Sequence, residues 1–100
     1  MTIIFSPEAE AEIEAASAFY KVKSPELKNR FLADIDEALA RIEAFPRAWP
    51  AVRGGARRCI CKTFPYIVIF RLVEGDIRIY AVAHQSRRPG YWRKRLGAKR

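Results

Sequence analysis

The tripeptide Ser-Pro-Glu occurs twice, at residues 6–8 and 24–26, and each copy signals the start of a helix. The serine hydroxyl can accept from a first-turn amide. Proline suits the first helical position because the N–H it lacks has no partner there, and glutamate complements the positive end of the helix dipole. A helical period follows each copy. Ala9, Ile13, Ala16 and Tyr20 recur at spacings of 4, 3 and 4, with Glu8, Glu10, Glu12 and Glu14 expected mostly around the outer surface. Leu27, Phe31, Ile35, Leu39, Ile42 and Phe45 recur at 4, 4, 4, 3 and 3 until Pro46 stops the pattern. A tight link over Lys21–Ser24 makes the pair an αα-hairpin, and the heptad regularity of a coiled coil is absent. Asp34 and Asp36, two apart on the second helix, do not face each other and are expected on a solvated face.

Two helices with one apolar stripe each need a layer to cover, and the rest of the chain supplies strands. Thr2–Phe5 reads as a short strand that stops at Ser6 and must pair with a later one. After a connector from Pro46 to Ala56, Arg57–Phe64 and Tyr66–Val73 read as a two-strand hairpin interrupted at Pro65. Glu74-Gly75-Asp76 supplies a turn, and Ile77–Ala83 is a third strand of an antiparallel meander. The expected fold is α+β in the order β-α-α-β-β-β. One domain over residues 1–100 packs its helical hairpin on a small, mainly antiparallel twisted sheet, with a short basic C-terminal tail. Half of the residues are apolar and 12 % aromatic, so disorder is expected only in the last few residues.

Charge is polarised along the chain. Residues 1–50 balance at −3 and residues 51–100 at +11, for a formal net charge of +8. A basic surface of this kind suits nucleic acid or an acidic protein, since a bound counter-charge relieves its self-repulsion. A solvated basic surface kept for solubility is the plainer reading. Cys59 and Cys61 share a face if their segment is a strand, which is poor geometry for a disulfide, and the single histidine, His84, leaves no zinc set. Both cysteines are therefore read as small buried free thiols in a reducing cytoplasm. No signal segment or membrane-spanning apolar run is present, and no membrane partner or cofactor is expected.

The sequence has no Gly-rich phosphate loop, H-E-x-x-H motif or nucleophile elbow. His84 ends the last strand beside Gln85, Ser86, Arg87 and Arg88, where a proton-transfer group could face a phosphate, although a structural role is commoner for a lone histidine. Arg57, Arg58, Lys62, Arg71, Arg78, Arg87 and Arg88 either line one face of the sheet or are split between two by strand alternation. Tyr91-Trp92 before Arg93-Lys94-Arg95 combines aromatic area with cations, as at a protein hot spot or a base-stacking surface; equally, the two aromatics could pin the tail to the sheet.

Arg57-Arg58, Phe64-Pro65-Tyr66, the strand ending Phe70-Arg71, the EGDIRI turn and strand from Glu74 to Ile79, and AVAHQSRRPGYW from Ala81 to Trp92 together resemble the RelE/ParE superfamily of bacterial type II toxins. The likeness is greatest to the ParE branch and covers nearly the whole chain. It implies a cytoplasmic toxin that inhibits DNA gyrase without being a catalyst. It also implies neutralisation by a ParD-like antitoxin, a ribbon-helix-helix protein whose disordered tail folds over the toxin, and assembly into a higher-order toxin–antitoxin hetero-oligomer. An acidic antitoxin tail would offset the positive charge as it orders.

RelE-like relatives instead cleave messenger RNA in the ribosome with convergent basic residues and a C-terminal tyrosine. Here Ile67 stands where that pattern has an arginine, and Arg58 and Ile60 stand where it has two lysines, so gyrase inhibition fits better. The candidate target- or partner-binding residues are Arg58, Lys62, His84, Arg87, Arg88, Tyr91 and Trp92, with no catalytic or metal-binding residue. A ribosome-dependent endoribonuclease using Arg58, His84, Arg88 and Tyr91, and a non-toxic nucleic-acid-binding module with salt-sensitive affinity, are the competing readings.

Overall fold

Strand Ile3–Phe5 (β1), helices Pro7–Lys23 (α1) and Pro25–Ala44 (α2), strands Arg57–Ile60 (β2), Tyr66–Val73 (β3) and Asp76–His84 (β4), and a short helix Arg93–Gly97 (α3) follow one another in the computed structural model. The structure describes residues 1–97; the disorder expected of the last few residues lies outside the described residues. The sheet order is β1-β4-β3-β2, with β1 parallel to β4 and the other pairs antiparallel. It is the expected α+β architecture. The short basic C-terminal tail is present, and its described part ends in helix α3.

Both Ser-Pro-Glu signals act as expected. Ser6 Oγ accepts from Ala9 N at 3.1 Å, and Ser24 Oγ accepts from Leu27 N at 3.0 Å. Ser24 also donates its own N–H to Tyr20 O at 3.0 Å, so one extended residue closes α1 and opens α2. The link is thus shorter than the expected four residues, and α1 runs on to Lys23.

Two boundaries differ for identifiable reasons. β2 stops at Ile60 instead of reaching Phe64, because the Asp34 carboxylate accepts from Thr63 N at 3.1 Å and Phe64 N at 2.7 Å and takes those amides out of the ladder. Asp34 is accordingly buried, against the expectation of a solvated face, whereas Asp36 is exposed. At the other hairpin Asp76 pairs with Val73, so the turn is Glu74-Gly75 alone, with φ of 52° and 83°. Both positive values suit a two-residue hairpin turn that matches strand twist.

The helices cover one face of the sheet. Phe31, Ile35, Ala38 and Ile42 of α2 and Ala9 and Ala16 of α1 pack against Cys59, Val68, Phe70, Ile77 and Ile79. Full burial of a side chain such as Phe31 contributes about 1.5–3 kcal/mol. At one end of this layer Tyr20, Phe31, Phe64 and Tyr66 form an aromatic cluster with centroids 5.0 to 5.6 Å apart, apart from the 6.4 Å Tyr20–Tyr66 pair. Cys59 and Cys61 are buried free thiols there, and burial pushes the Cys61 thiol up to about 12.

The opposite face carries a thinner layer, Ala56, Ile69, Ala81 and Ala83 under Trp92 and Leu96. Alternation therefore splits the cations. Arg58 sits across from Ile69, and Arg71 from Arg78, on this outer face, while Arg57 sits across from Phe70 on the inner one. Among the described residues no helix is long and apolar enough to cross a membrane.

Candidate functional site

β4 and the segment after it position most of the candidate residues. A register shift opposite Ile69 and Phe70 leaves Tyr80 without a cross-strand partner, and the Tyr80 carbonyl accepts from Arg95 Nη1 at 3.0 Å. The bulge thus gives the returning tail a fixed point. From His84 the chain turns, with Arg87 N donating to His84 O at 3.0 Å and Tyr91 N donating to Arg88 O at 3.2 Å, and enters α3 beneath the outer face.

Glu12 of α1 ties this segment to the helices. Its carboxylate accepts from Arg95 Nη1 at 3.0 Å and Nη2 at 3.1 Å, from Val82 N at 2.9 Å, and from the Tyr91 hydroxyl. A bidentate arginine pair with two further donors is a strong, geometrically specific arrangement. Burial, and then the bond to Glu12, push the Tyr91 phenol up to about 12. The Tyr91 ring in turn supports two cations, with the guanidinium of Arg87 at 3.9 Å and that of Arg95 at 5.1 Å from its centroid.

A cleft of about 240 Å³ lies between α1 and this segment, bordered by Glu12, Phe19, Tyr66, His84, Arg87 and Tyr91. The His84 ring meets Tyr66 edge-on at 5.1 Å, and its Nδ1 accepts from Ser86 N at 3.0 Å. Burial raises the Tyr66 phenol as well, with a bond to Tyr20 adding to it. Both phenols are thus held in their neutral form near neutrality.

His84, Arg87 and Tyr91 therefore share one cleft, and Arg88 is exposed in the turn beside it. Arg58 and Trp92 lie at a second cavity on the outer face. Trp92 is only 8 % exposed, packed in the outer layer, so of the two roles open to it the structure displays the anchoring one. Lys62 stands elsewhere, 3.3 Å from Glu37, which also holds Arg41. Among the described residues no three His, Cys, Asp or Glu side chains gather to hold a metal ion.

Glu12 and Arg95 were not among the candidates read from the sequence. The signal for Glu12 was available: it lies three residues after Ala9 and four before Ala16, on the flank of the apolar stripe. Asp34 has the same relation to Phe31 and Ala38.

The family model described as ParE toxin of type II toxin-antitoxin system, parDE, matches residues 3–89. A solved structure of the chromosomal ParDE TA system from P. aeruginosa superposes with a TM-score of 0.74 at 22 % identity, over 84 % of this chain and 95 % of that one, a likeness of fold. No curated protein matches the chain.

Proposed function

The chain belongs to the ParE toxin family of type II toxin–antitoxin systems, and from that premise we propose that it inhibits DNA gyrase in the cytoplasm and is neutralised by a ParD-like antitoxin within a hetero-oligomer. The family match over residues 3–89 carries this reading. The geometry supports inhibition by binding over cleavage. Of the groups an RNA-cleaving site would bring together, Arg58 lies on the outer face, His84 and Tyr91 border the cleft, and the Tyr91 hydroxyl is committed to Glu12. Such a division keeps Arg58 apart from His84 and Tyr91 and leaves the Tyr91 hydroxyl engaged by a carboxylate.

Arg87 and Arg88 are the target-contacting cations in this proposal, and Tyr91 positions Arg87 by stacking. The test is purified toxin on gyrase-driven supercoiling and on a translated message, each with and without the cognate antitoxin. Blocked supercoiling relieved by antitoxin, with the message intact, is the expected outcome. Codon-located cuts in the message with gyrase unaffected would replace this reading with the nuclease one.

A further inference from the structure

The outer face holds a cavity of about 330 Å³ whose floor is Ile67, Ile69 and Trp92 and whose rim carries Arg53, Arg58 and Arg93. This volume is at the low end of the roughly 300–1,000 Å³ of small-molecule sites and has room for one bulky side chain and its neighbours. The three arginines are exposed, and among the described residues none has a carboxylate partner. The acids with structural partners are committed elsewhere: Glu12 to Arg95, Glu37 to Arg41 and Lys62, Asp34 to backbone amides. Among the described residues no acidic side chain lines the cavity.

The rim is also shaped by the backbone. Gly90 has φ of 79°, and a Cβ there would stand 2.7 Å from Arg93 Nε, so glycine lets this guanidinium lie close against the main chain. Three like charges around an apolar floor repel one another, and a ligand's carboxylates remove that cost.

We propose that this cavity seats one bulky apolar side chain of an acidic segment of the cognate antitoxin, with flanking carboxylates on Arg53, Arg58 and Arg93. The inference rests on the antitoxin reading above and adds where, and by what chemistry, the toxin is held. Nucleic acid is the poorer occupant because the Trp92 ring is buried in the floor and the other floor residues are aliphatic, which leaves no open aromatic platform for a base. An apolar anchor ringed by carboxylates matches both the floor and the rim. Seated there, the antitoxin would clamp residues 89–93 from outside, while Glu12 holds Tyr91 and Arg95 from the α1 side.

The test is calorimetric titration of full-length toxin with purified cognate antitoxin at low and high salt. Arg53→Glu with Arg58→Glu should weaken Kd about a hundredfold at low salt, and Ile67→Ser about tenfold at both salts. Arg30→Glu with Arg47→Glu, an equal charge change at exposed positions elsewhere, should stay within about fivefold of wild type. Equal weakening by the two reversals would overturn the proposal, leaving only net charge. Unchanged antitoxin affinity with lost gyrase inhibition would overturn it in favour of a target surface, and a single-stranded oligonucleotide that binds wild type but not the reversed toxin, with antitoxin affinity unchanged, in favour of nucleic acid. Intact wild-type binding with no selective loss fails this inference alone, whereas no antitoxin binding by wild type fails the functional reading with it.

Discussion

On the helix-facing side of the sheet Phe31, Ile42, Phe70, Ile77 and Ile79 are wholly buried, large and apolar. On the other side Ala56, Ala81 and Ala83 leave a shallow floor that Trp92 and Leu96 fill, and the segment carrying those two is held largely by polar ties from Glu12 and the Tyr80 carbonyl. Close apolar packing makes the first layer expensive to disturb. The second layer depends on a few directional bonds, so it can be loosened while the first stays folded. The cleft and the outer cavity both touch the second layer, through Tyr91 and Trp92, whereas Lys62 borders a third hollow beside Asp34 and Phe64 on the helix-facing side.

Substitution in each layer measures that contrast directly. Phe31→Ala should cost about 4 kcal/mol, since a large ring is removed from a site closed on all sides. Trp92→Ala should cost about 2 kcal/mol, less than is usual for a tryptophan, because the thin layer can settle onto its alanines. Denaturant unfolding reads both values, and equal costs would break the comparison.

Within the helix-facing layer a single polar group takes the place of strand hydrogen bonds. Asp34→Ala leaves the amides of Thr63 and Phe64 without their acceptor and should cost about 3 kcal/mol in the same measurement. A cost below about 1 kcal/mol would mean that water replaces the carboxylate easily and that the loop after β2 is less closed than described.

The helix-facing layer was legible because its information is periodic. Residues 9, 13, 16, 20 and 31, 35, 42 mark helix stripes, the apolar run 66–73 marks the central strand, and two Ser-Pro-Glu signals fix where the helices begin. The outer layer was not legible in the same way. Its main ties join residues such as Glu12 and Arg95, 83 positions apart, and nothing local distinguishes Glu12 from Glu8, Glu10 and Glu14 except its place on the stripe's flank. The short β2 has the same origin, because a carboxylate 29 residues upstream ends it and strand propensity carries no trace of that bond. Placing Arg58 and His84 on opposite faces needed the register and its bulge, which the sequence does not encode locally.

Glu12→Ala tests the ties of the outer layer. It removes the acceptor of Tyr91, Arg95 and Val82 and should cost about 2 kcal/mol locally. Trypsin should then cut after Arg93, Lys94 or Arg95 many times faster, through local opening, while the rest of the chain stays resistant. Cleavage no faster than in wild type would show that Trp92 and Leu96 suffice and that the polar ties are secondary.

The smallest effect separates the two layers by pH. Burial first, then the bond to Glu12, raise the Tyr91 phenol from 10.0 to about 12, with Arg95 and Arg87 opposing; burial first, then the Asp34 charge, raise the Cys61 thiol from 9.0 to about 12. Each group is held in its neutral form in the folded chain and ionises more easily in the unfolded one. Its contribution to stability is therefore whole below the unfolded value and is lost as pH rises through the folded value. For Cys61 that loss begins near pH 9 and for Tyr91 near pH 10, both running to about 12. Unfolding free energies measured across this range should fall less steeply from pH 9 in Cys61→Ala, and less steeply only from pH 10 in Tyr91→Phe. If Tyr91→Phe instead tracks wild type throughout while Cys61→Ala does not, the phenol is solvated in solution. The outer layer would then be looser than its bonds to Glu12 imply, and the stacked Arg87 would lose its fixed support.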